Sequence, residues 1–287
     1  MKRKQLFEFE DLPWFPRLIR SYMQDHLAFM GNLSASAYQD FAVKLKDAMA
    51  TLGETQLLDM CSGGGGPVRM ILRLLNEHGL RATARLSDLY PNNIAYQHLA
   101  KETAGLVQGV SLPVDATNVP QELSGFRLIA NGFHHFPPQA ARQLLADAVA
   151  KQRGIAVVEM VSRSGLAFMG IGMGFVLVFL AAPFIRPFRF SRLIFTYLIP
   201  AVPLFLLWDG MVSCLRAYSP EELTELVASL DSSEYQWDIG EIHFGPGVAT
   251  YAIGVPNKSQ EHEENPLTSS KPAIDHQLSS GHKRRLV

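Results

Sequence analysis

Two hydrophobic periods divide the chain. "FPRLIRSYMQDHLAFM" sets Leu18, Ile19, Tyr22, Met23 and Leu27 on one stripe at helical spacing, and "SAYQDFAVKLKDAMATLG" continues the amphipathic pattern to Gly53. Residues 1–53 are therefore expected to form an N-terminal helical lid, with core packing against the next domain as the alternative. From residue 55 the period shortens. "TQLLDM", "ATARLSDL", "VQGVSLPVDA", "FRLIANGF" and "IAVVEM" read as strands. "PVRMILRLLNEHG", "PNNIAYQHLAKETAG" and "PPQAARQLLADAVAKQRG" stand among them as helices, the first opened by Pro67. This rhythm predicts an α/β fold with a doubly wound, mostly parallel sheet and ligands at the carboxyl ends of its strands. Ser219-Pro220-Glu221-Glu222 is a capping box, and the segments around Gly245-Pro246-Gly247 form a closing antiparallel hairpin. Residues 257–287 are polar and aperiodic, and are expected to be a disordered tail.

One region breaks the pattern. "GLAFMGIGMGFVLVFLAAPFI", Gly165 to Ile185, carries no charge, and "LIFTYLIPAVPLFLLW" follows it, interrupted by Pro200 and Pro203. About 20 apolar residues suffice to cross a bilayer, so the first run is long enough. Strands lie on both sides of the region, so both of its ends must emerge together. A spanning hairpin on a cytosolic domain would carry Arg186, Arg189 and Arg192 across the membrane, against the positive-inside tendency. A hairpin dipping into the cytosolic leaflet keeps these arginines near anionic head groups. Residues 164–208 are thus expected to be an apolar helical insert after the fifth strand that meets the membrane surface through 165–208 or inserts shallowly. A soluble cap or an oligomer interface is the alternative.

Composition narrows the classes. With 287 residues, 47% of them hydrophobic, and a net charge of −1, the chain suits one sizeable α/β domain, is not a polytopic membrane protein and has no electrostatic grip on nucleic acid. Cys61 and Cys214 make no disulfide framework and suit a reducing compartment. The basic start is followed by Glu8, Glu10 and Asp11, which interrupt any signal-peptide core. His262, His276 and His282 are too scattered for a metal site, and no metal is expected.

Chemistry concentrates in "LLDMCSGGGGP", where the first strand turns into the first helix. Glycines there let backbone approach a ligand closely. A dinucleotide fingerprint fails, because Val68 or Arg69 stands where its third glycine belongs, and an NAD-dependent oxidoreductase is disfavoured accordingly. The acid at the strand's end, Asp59, suits a positively charged ligand better than a pyrophosphate. In these residues the chain resembles the class I S-adenosylmethionine-dependent methyltransferases, with Asp59, Gly63 and Gly65 matching the first motif and Cys61 departing from it where a glycine is usual. The resemblance covers residues 55–160. It implies a seven-stranded Rossmann-like sheet over residues 54–256 and S-adenosyl-L-methionine as cofactor. Asp88 would meet the ribose hydroxyls, Leu89 and the pair Asp115-Ala116 the adenine, and Asn131 would stand beside the methyl group.

"NGFHHFPP" follows the fourth strand and offers His134 and His135 as general bases at the edge where the sulfonium points. Glu159, ending the fifth strand, faces the same edge as a substrate ligand or a partner for Arg163, and Asp209 is a weaker candidate. The expected function is methyl transfer, most readily to oxygen, on a lipophilic small-molecule or membrane-resident acceptor, at the cytoplasmic side of a membrane. A non-catalytic, cofactor-binding membrane scaffold stays open, as does a soluble cytoplasmic enzyme.

Overall fold

The computed structural model describes residues 1–33, 35–230 and 233–257; the expected tail from 258 onward lies outside them. Seven strands form one sheet: β1 Gln56–Met60, β2 Thr83–Ser87, β3 Val107–Gly109, β4 Phe126–Ala130, β5 Ile155–Glu159, β6 Tyr235–Phe244 and β7 Gly247–Pro256. Their order is β3-β2-β1-β4-β5-β7-β6. The first five are parallel, and β7 inserts antiparallel between β5 and β6. The chain reverses its winding direction between β1 and β4, which opens a crevice at their carboxyl ends. The doubly wound sheet with its reversed C-terminal hairpin matches the sequence expectation, although the third strand keeps only three of the residues assigned to it.

Buried apolar faces decide where the helices sit. Helix α1 spans Arg17–Leu33, α2 Gln39–Leu52, α3 Val68–Glu77, α4 Asn93–Glu102 and α5 Pro138–Ala150. Phe41, Ala42, Leu45 and Met49 of α2 are fully buried in the core cluster that also holds Leu57 of β1 and Phe126 of β4. So α2 belongs to the core, while the stretch through α1, together with Tyr38, lies at the crevice. On α1 the buried stripe is Ile19, Tyr22 and Met23, while Leu18 and Leu27 are exposed.

The apolar insert folds into α6 Gly165–Ala181, α7 Phe190–Leu193 with a π-helical turn over Ile194–Leu198, and α8 Ala201–Arg216, after which α9 spans Pro220–Ala228. The insert thus runs beyond residue 208. The helical stretch Phe190–Leu198 and α8 are bent by 74°, and no single described helix is long and apolar enough to cross a membrane. Gly210 of α8 admits Ile171 of α6, since a Cβ there would lie 2.9 Å from the Ile171 side chain. A small cluster of Phe15, Ile19, Tyr22, Met23 and Val202, with Phe205 and Leu206 beside it, seats α8 on the N-terminal segment.

The arginines at the hairpin tip do not sit as a head-group contact would require. Arg192 is fully buried, 2.9 Å from Asp25 of α1, and donates to the Ile185 carbonyl at 2.7 Å. Arg189 donates to Ser21 at 3.0 Å and lies 3.7 Å from Asp25, which leaves Arg186 as the exposed member of the three. A buried guanidinium is tolerated only with its counter-charge, and here the counter-charge belongs to another helix. The tip is therefore stapled to α1.

Breaking that staple strands a buried charge. Arg192→Met or Asp25→Asn alone should cost about 3–5 kcal/mol in urea unfolding, and Asp25→Leu with Arg192→Met should recover most of it. Single variants as stable as the parent would remove the ion pair from the account of how the insert is held.

Candidate active site

The crevice is built first from backbone. Ser62 and Ser87 hydroxyls donate to the Asp59 carbonyl at 2.7 and 3.1 Å, locking the end of β1 to that of β2. Cys61 follows at φ +56°, the left-handed region that favours glycine, which places mild backbone strain at the point where the chain departs from the glycine motif. At Gly64 a Cβ would stand 2.6 Å from the Gln24 carbonyl, so α1 rests directly on the glycine loop. Gly65, at φ +94°, would put a Cβ 2.2 Å from Leu99 of α4. Asp88 closes the loop, accepting from the Gly63 N–H at 2.8 Å and the Tyr90 N–H at 2.7 Å. Burial, with the Asp88 charge adding to it, pushes the Asp59 carboxyl up to about 7.

A cavity of about 560 Å³ lies over this edge. Gly63, Asp88, Leu89 and Asn131 line it, whereas Asp59 and Gly65 sit behind its wall. Asn131 is a brace: its Oδ1 accepts from the Met160 N–H at 2.7 Å and its Nδ2 donates to the Tyr38 hydroxyl at 2.8 Å. Asp115 is exposed and accepts from the Thr117 N–H and hydroxyl in a turn, while Ala116 is buried in the second core cluster. Neither Asp115 nor Ala116 lines the cavity.

Two of the expected chemical groups form a dyad. Glu159 accepts from the Phe133 N–H at 2.6 Å and the His134 N–H at 3.3 Å with one oxygen. Its other oxygen is 2.6 Å from His134 Nδ1. A carboxylate cannot donate, so the proton of that contact is on Nδ1, and Nε2 is the ring nitrogen that Glu159 leaves unengaged. Both residues are buried, and His134 lines the cavity. Arg163, the rival partner for Glu159, pairs instead with Glu222 at 2.7 Å.

His135 stacks on His134 with ring centroids 4.5 Å apart, yet its state is different. Its Nδ1 lies 2.8 Å from Asp11 and 3.2 Å from Glu8, and Arg216 touches the same carboxylates at 2.6 and 3.1 Å. Burial works against the imidazolium, but Glu8 and Asp11 outweigh it and raise His135 to about 10. Burial likewise opposes the Asp11 charge, and the His135 contact overrides it, leaving Asp11 at about 2. His135 is a fixed cation with no lone pair to accept a proton, so as a base it is not in the same position as His134. Glu8, His134 and His135 offer ligand atoms within 4.8 Å of one another.

The polar wall holds Asp209, the weaker candidate of the sequence, and Glu10, to which sequence reasoning assigned no chemical role. Asp209 accepts from the Phe9 and Glu10 N–H groups at 2.8 and 3.2 Å, and burial raises its carboxyl to about 7. Glu10 is raised further, to about 8, by burial and then by Asp209, and its Oε1 has no hydrogen-bond partner among the described residues. The acids of "FEFED" register in the sequence only as an interruption of an apolar start; their interleaving with aromatics was the available signal. The opposite wall is apolar, formed by Ile171, Phe175 and Val178 of α6 and Leu206 and Leu207 of α8.

No protein-family model and no curated protein matches the sequence. Among solved structures, the plantazolicin methyltransferase BpumL, in complex with a monoazolic desmethyl-plantazolicin analogue and SAH, is similar over 84% of this chain and 90% of its own, at 15% identity and a TM-score of 0.49. The mitomycin 7-O-methyltransferase MmcR is similar over 79% of this chain and 55% of its own, at 14% identity and a TM-score of 0.45. NcsB1, an O-methyltransferase from neocarzinostatin biosynthesis in complex with S-adenosylmethionine and 2-hydroxy-5-methyl naphthoic acid, is similar over 78% of this chain and 59% of its own, at 13% identity and a TM-score of 0.42. The chain spans little more than half the length of the latter two.

The charge on His135 has a measurable sign. Its folded pKa is raised, so its contribution to stability is complete below the unfolded value of about 6.5 and is lost as pH climbs toward about 10. Asp11 is depressed, so its share is present above about 3.9 and is lost as pH falls toward about 2. Imidazole NMR should find His135 still protonated at pH ~8, and His135→Gln should flatten the alkaline limb of the stability profile. A His135 resonance titrating near its unperturbed value of about 6.5 would contradict the assignment.

Proposed function

We propose that this chain transfers a methyl group from S-adenosyl-L-methionine to a lipophilic small-molecule acceptor, most readily at a hydroxyl oxygen. The observation that carries the reading is the single cavity in which the glycine loop and Asp88 face His134 and the apolar walls of α6 and α8. The cofactor fits the charge of this edge. Asp59 is a buried acid pushed up to about 7 beside Asp88, and a nearby ammonium or sulfonium would restore its charge. Gly63 and Asp88 would hold the cofactor, with Leu89 as an apolar edge and Asn131 bracing the strand beneath. Asp115, closed on Thr117, takes no part in this reading.

When bound, S-adenosyl-L-methionine supplies a methyl carbon activated for in-line displacement. His134 accepts the acceptor's hydroxyl proton at Nε2 as the oxygen becomes nucleophilic. Glu159 holds the required tautomer through Nδ1 and stabilises the imidazolium that results. His135 has its charge committed to Glu8 and Asp11 and serves to position the N-terminal strap against the site. With the Gln24 carbonyl pressed on Gly64, α1 excludes water from the loop side.

The lipophilic character of the acceptor rests on α6. One side of this helix lines the cavity, and the other leaves Met169, Met173 and Leu180 more than half exposed, continued beyond the helix by Phe184, Phe188, Phe190 and Leu198. An exposed apolar surface of that extent marks an interaction site. Its neighbour across one helix is the acceptor cavity, so the partner we assign is the cytosolic face of a bilayer, touched at the surface and not spanned.

Labelled cofactor incubated with a lipid extract tests the chemistry. His134→Gln and Glu159→Gln should lower methyl incorporation by roughly 10²–10⁴ while cofactor affinity by calorimetry is retained. Wild-type turnover in His134→Gln removes it from the mechanism, and cofactor binding with no labelled product leaves a scaffold. Flotation with phosphatidylcholine–phosphatidylglycerol vesicles tests the surface. The parent should float and Met173→Glu with Leu180→Glu should not; a parent that stays in the soluble fraction ends the membrane assignment.

A further inference from the structure

A second cavity, about 960 Å³, lies on the far side of α6, between that helix, the Cys214–Pro220 junction of α8 and α9, and the β6–β7 turn. Met160, Val161, Gly170 and Ile171 line both cavities. At this shared wall Gly170 has no side chain, and a Cβ added there would meet nothing within 4 Å. The wall is thinnest where the helix has only backbone to offer.

The two cavities differ in what they ask of a ligand. The first contains Glu10, with its unpartnered Oε1, and the imidazole of His134, held through Nδ1 by Glu159. In the second, no buried polar side-chain atom among the described residues lacks a partner, and its one arginine, Arg163, is held by Glu222 in a two-pronged contact at 2.9 and 2.7 Å. Glu241, exposed to solvent, also lines it. Met160, Met169 and Met173 supply flexible, polarisable thioethers, which adapt to an irregular aliphatic shape better than rigid side chains do. A volume of this size is at the upper end for a small-molecule site.

We infer that this groove is an aliphatic-chain subsite. The acceptor is a molecule with a polar, methyl-accepting end beside His134 and a single long hydrocarbon chain that passes over Gly170 into the groove. The polar end rests on the methyl-transfer reading; the chain site stands on the groove alone.

Fluorescence binding to the full-length protein separates the two. Dansylaminoundecanoic acid should bind the parent, and dansylglycine, which lacks the chain, should bind at least ten-fold more weakly, since each buried methylene contributes about 0.8 kcal/mol. Gly170→Phe at the shared wall and Ala167→Phe, which lines only the groove, should each weaken the long probe about ten-fold or more. Thermal unfolding serves as the fold control for both variants. Phe184→Ser, on the exposed face and lining neither cavity, should bind the long probe as the parent does. Equal binding of the two probes, unaltered binding in both phenylalanine variants, or a loss confined to Phe184→Ser would overturn the inference. If the parent binds the long probe as described but no SAH, the methyl-transfer reading fails and the chain site remains.

Discussion

The two most deeply buried arginines of this apolar insert, one near its tip and one at its return, are each held by an opposite charge. At the tip, Arg192 is buried against Asp25 of α1. At the return, Arg216 is buried against Glu8 and Asp11 of the N-terminal strap, which also hold His135. The pairs tie segments that sequence keeps far apart, and unpairing a buried ion is costly enough to make the register of the roof over the sheet specific. Apolar contact alone, which is non-directional, would leave α6 and α8 free to slide.

The site inherits its order from that roof and from the ends of β4 and β5. Glu159 uses three N–H contacts to fix the loop after β4, and in doing so aims His134 at the cavity. The neighbouring histidine, identical in kind and adjacent in chain, is turned to the strap and held as a cation. Environment separates the two, as it does for paired carboxylates with different duties. Gly64 completes the closure, because the Gln24 carbonyl would collide with any side chain there.

The apolar residues of α6 answer to three environments at once. Ile171 packs on Gly210, Phe175 and Val178 face the cavity, and Met169 and Met173 reach both solvent and the outer groove. A helix that is apolar on all sides has no polar face to declare which side is outside. Here the division is made by its neighbours: α8 and the N-terminal segment on one side, and on the other the groove bounded by the α8–α9 junction and the β6–β7 turn.

The sheet was legible from the chain because strand and helix periods are local properties. The same periods place Asp59, Asp88, Asn131, His134 and Glu159 at one edge, since a parallel strand's carboxyl end always faces the crevice. What the periods could not say is which neighbour each group chooses. Glu8, Glu10 and Asp11 looked like an interruption of an apolar start because their partners, Arg216 and Asp209, lie some 200 residues away. Arg189 and Arg192 looked free to meet lipid head groups because nothing local reveals Asp25 opposite them. Asp115 matched a motif position, yet its carboxylate is closed on Thr117. Local pattern determined the strands, the edge and the residue types brought to it. Only tertiary packing decided which histidine meets Glu159 and which meets Glu8 and Asp11, and which arginines are buried, because burial and counter-charge are properties of the assembled chain.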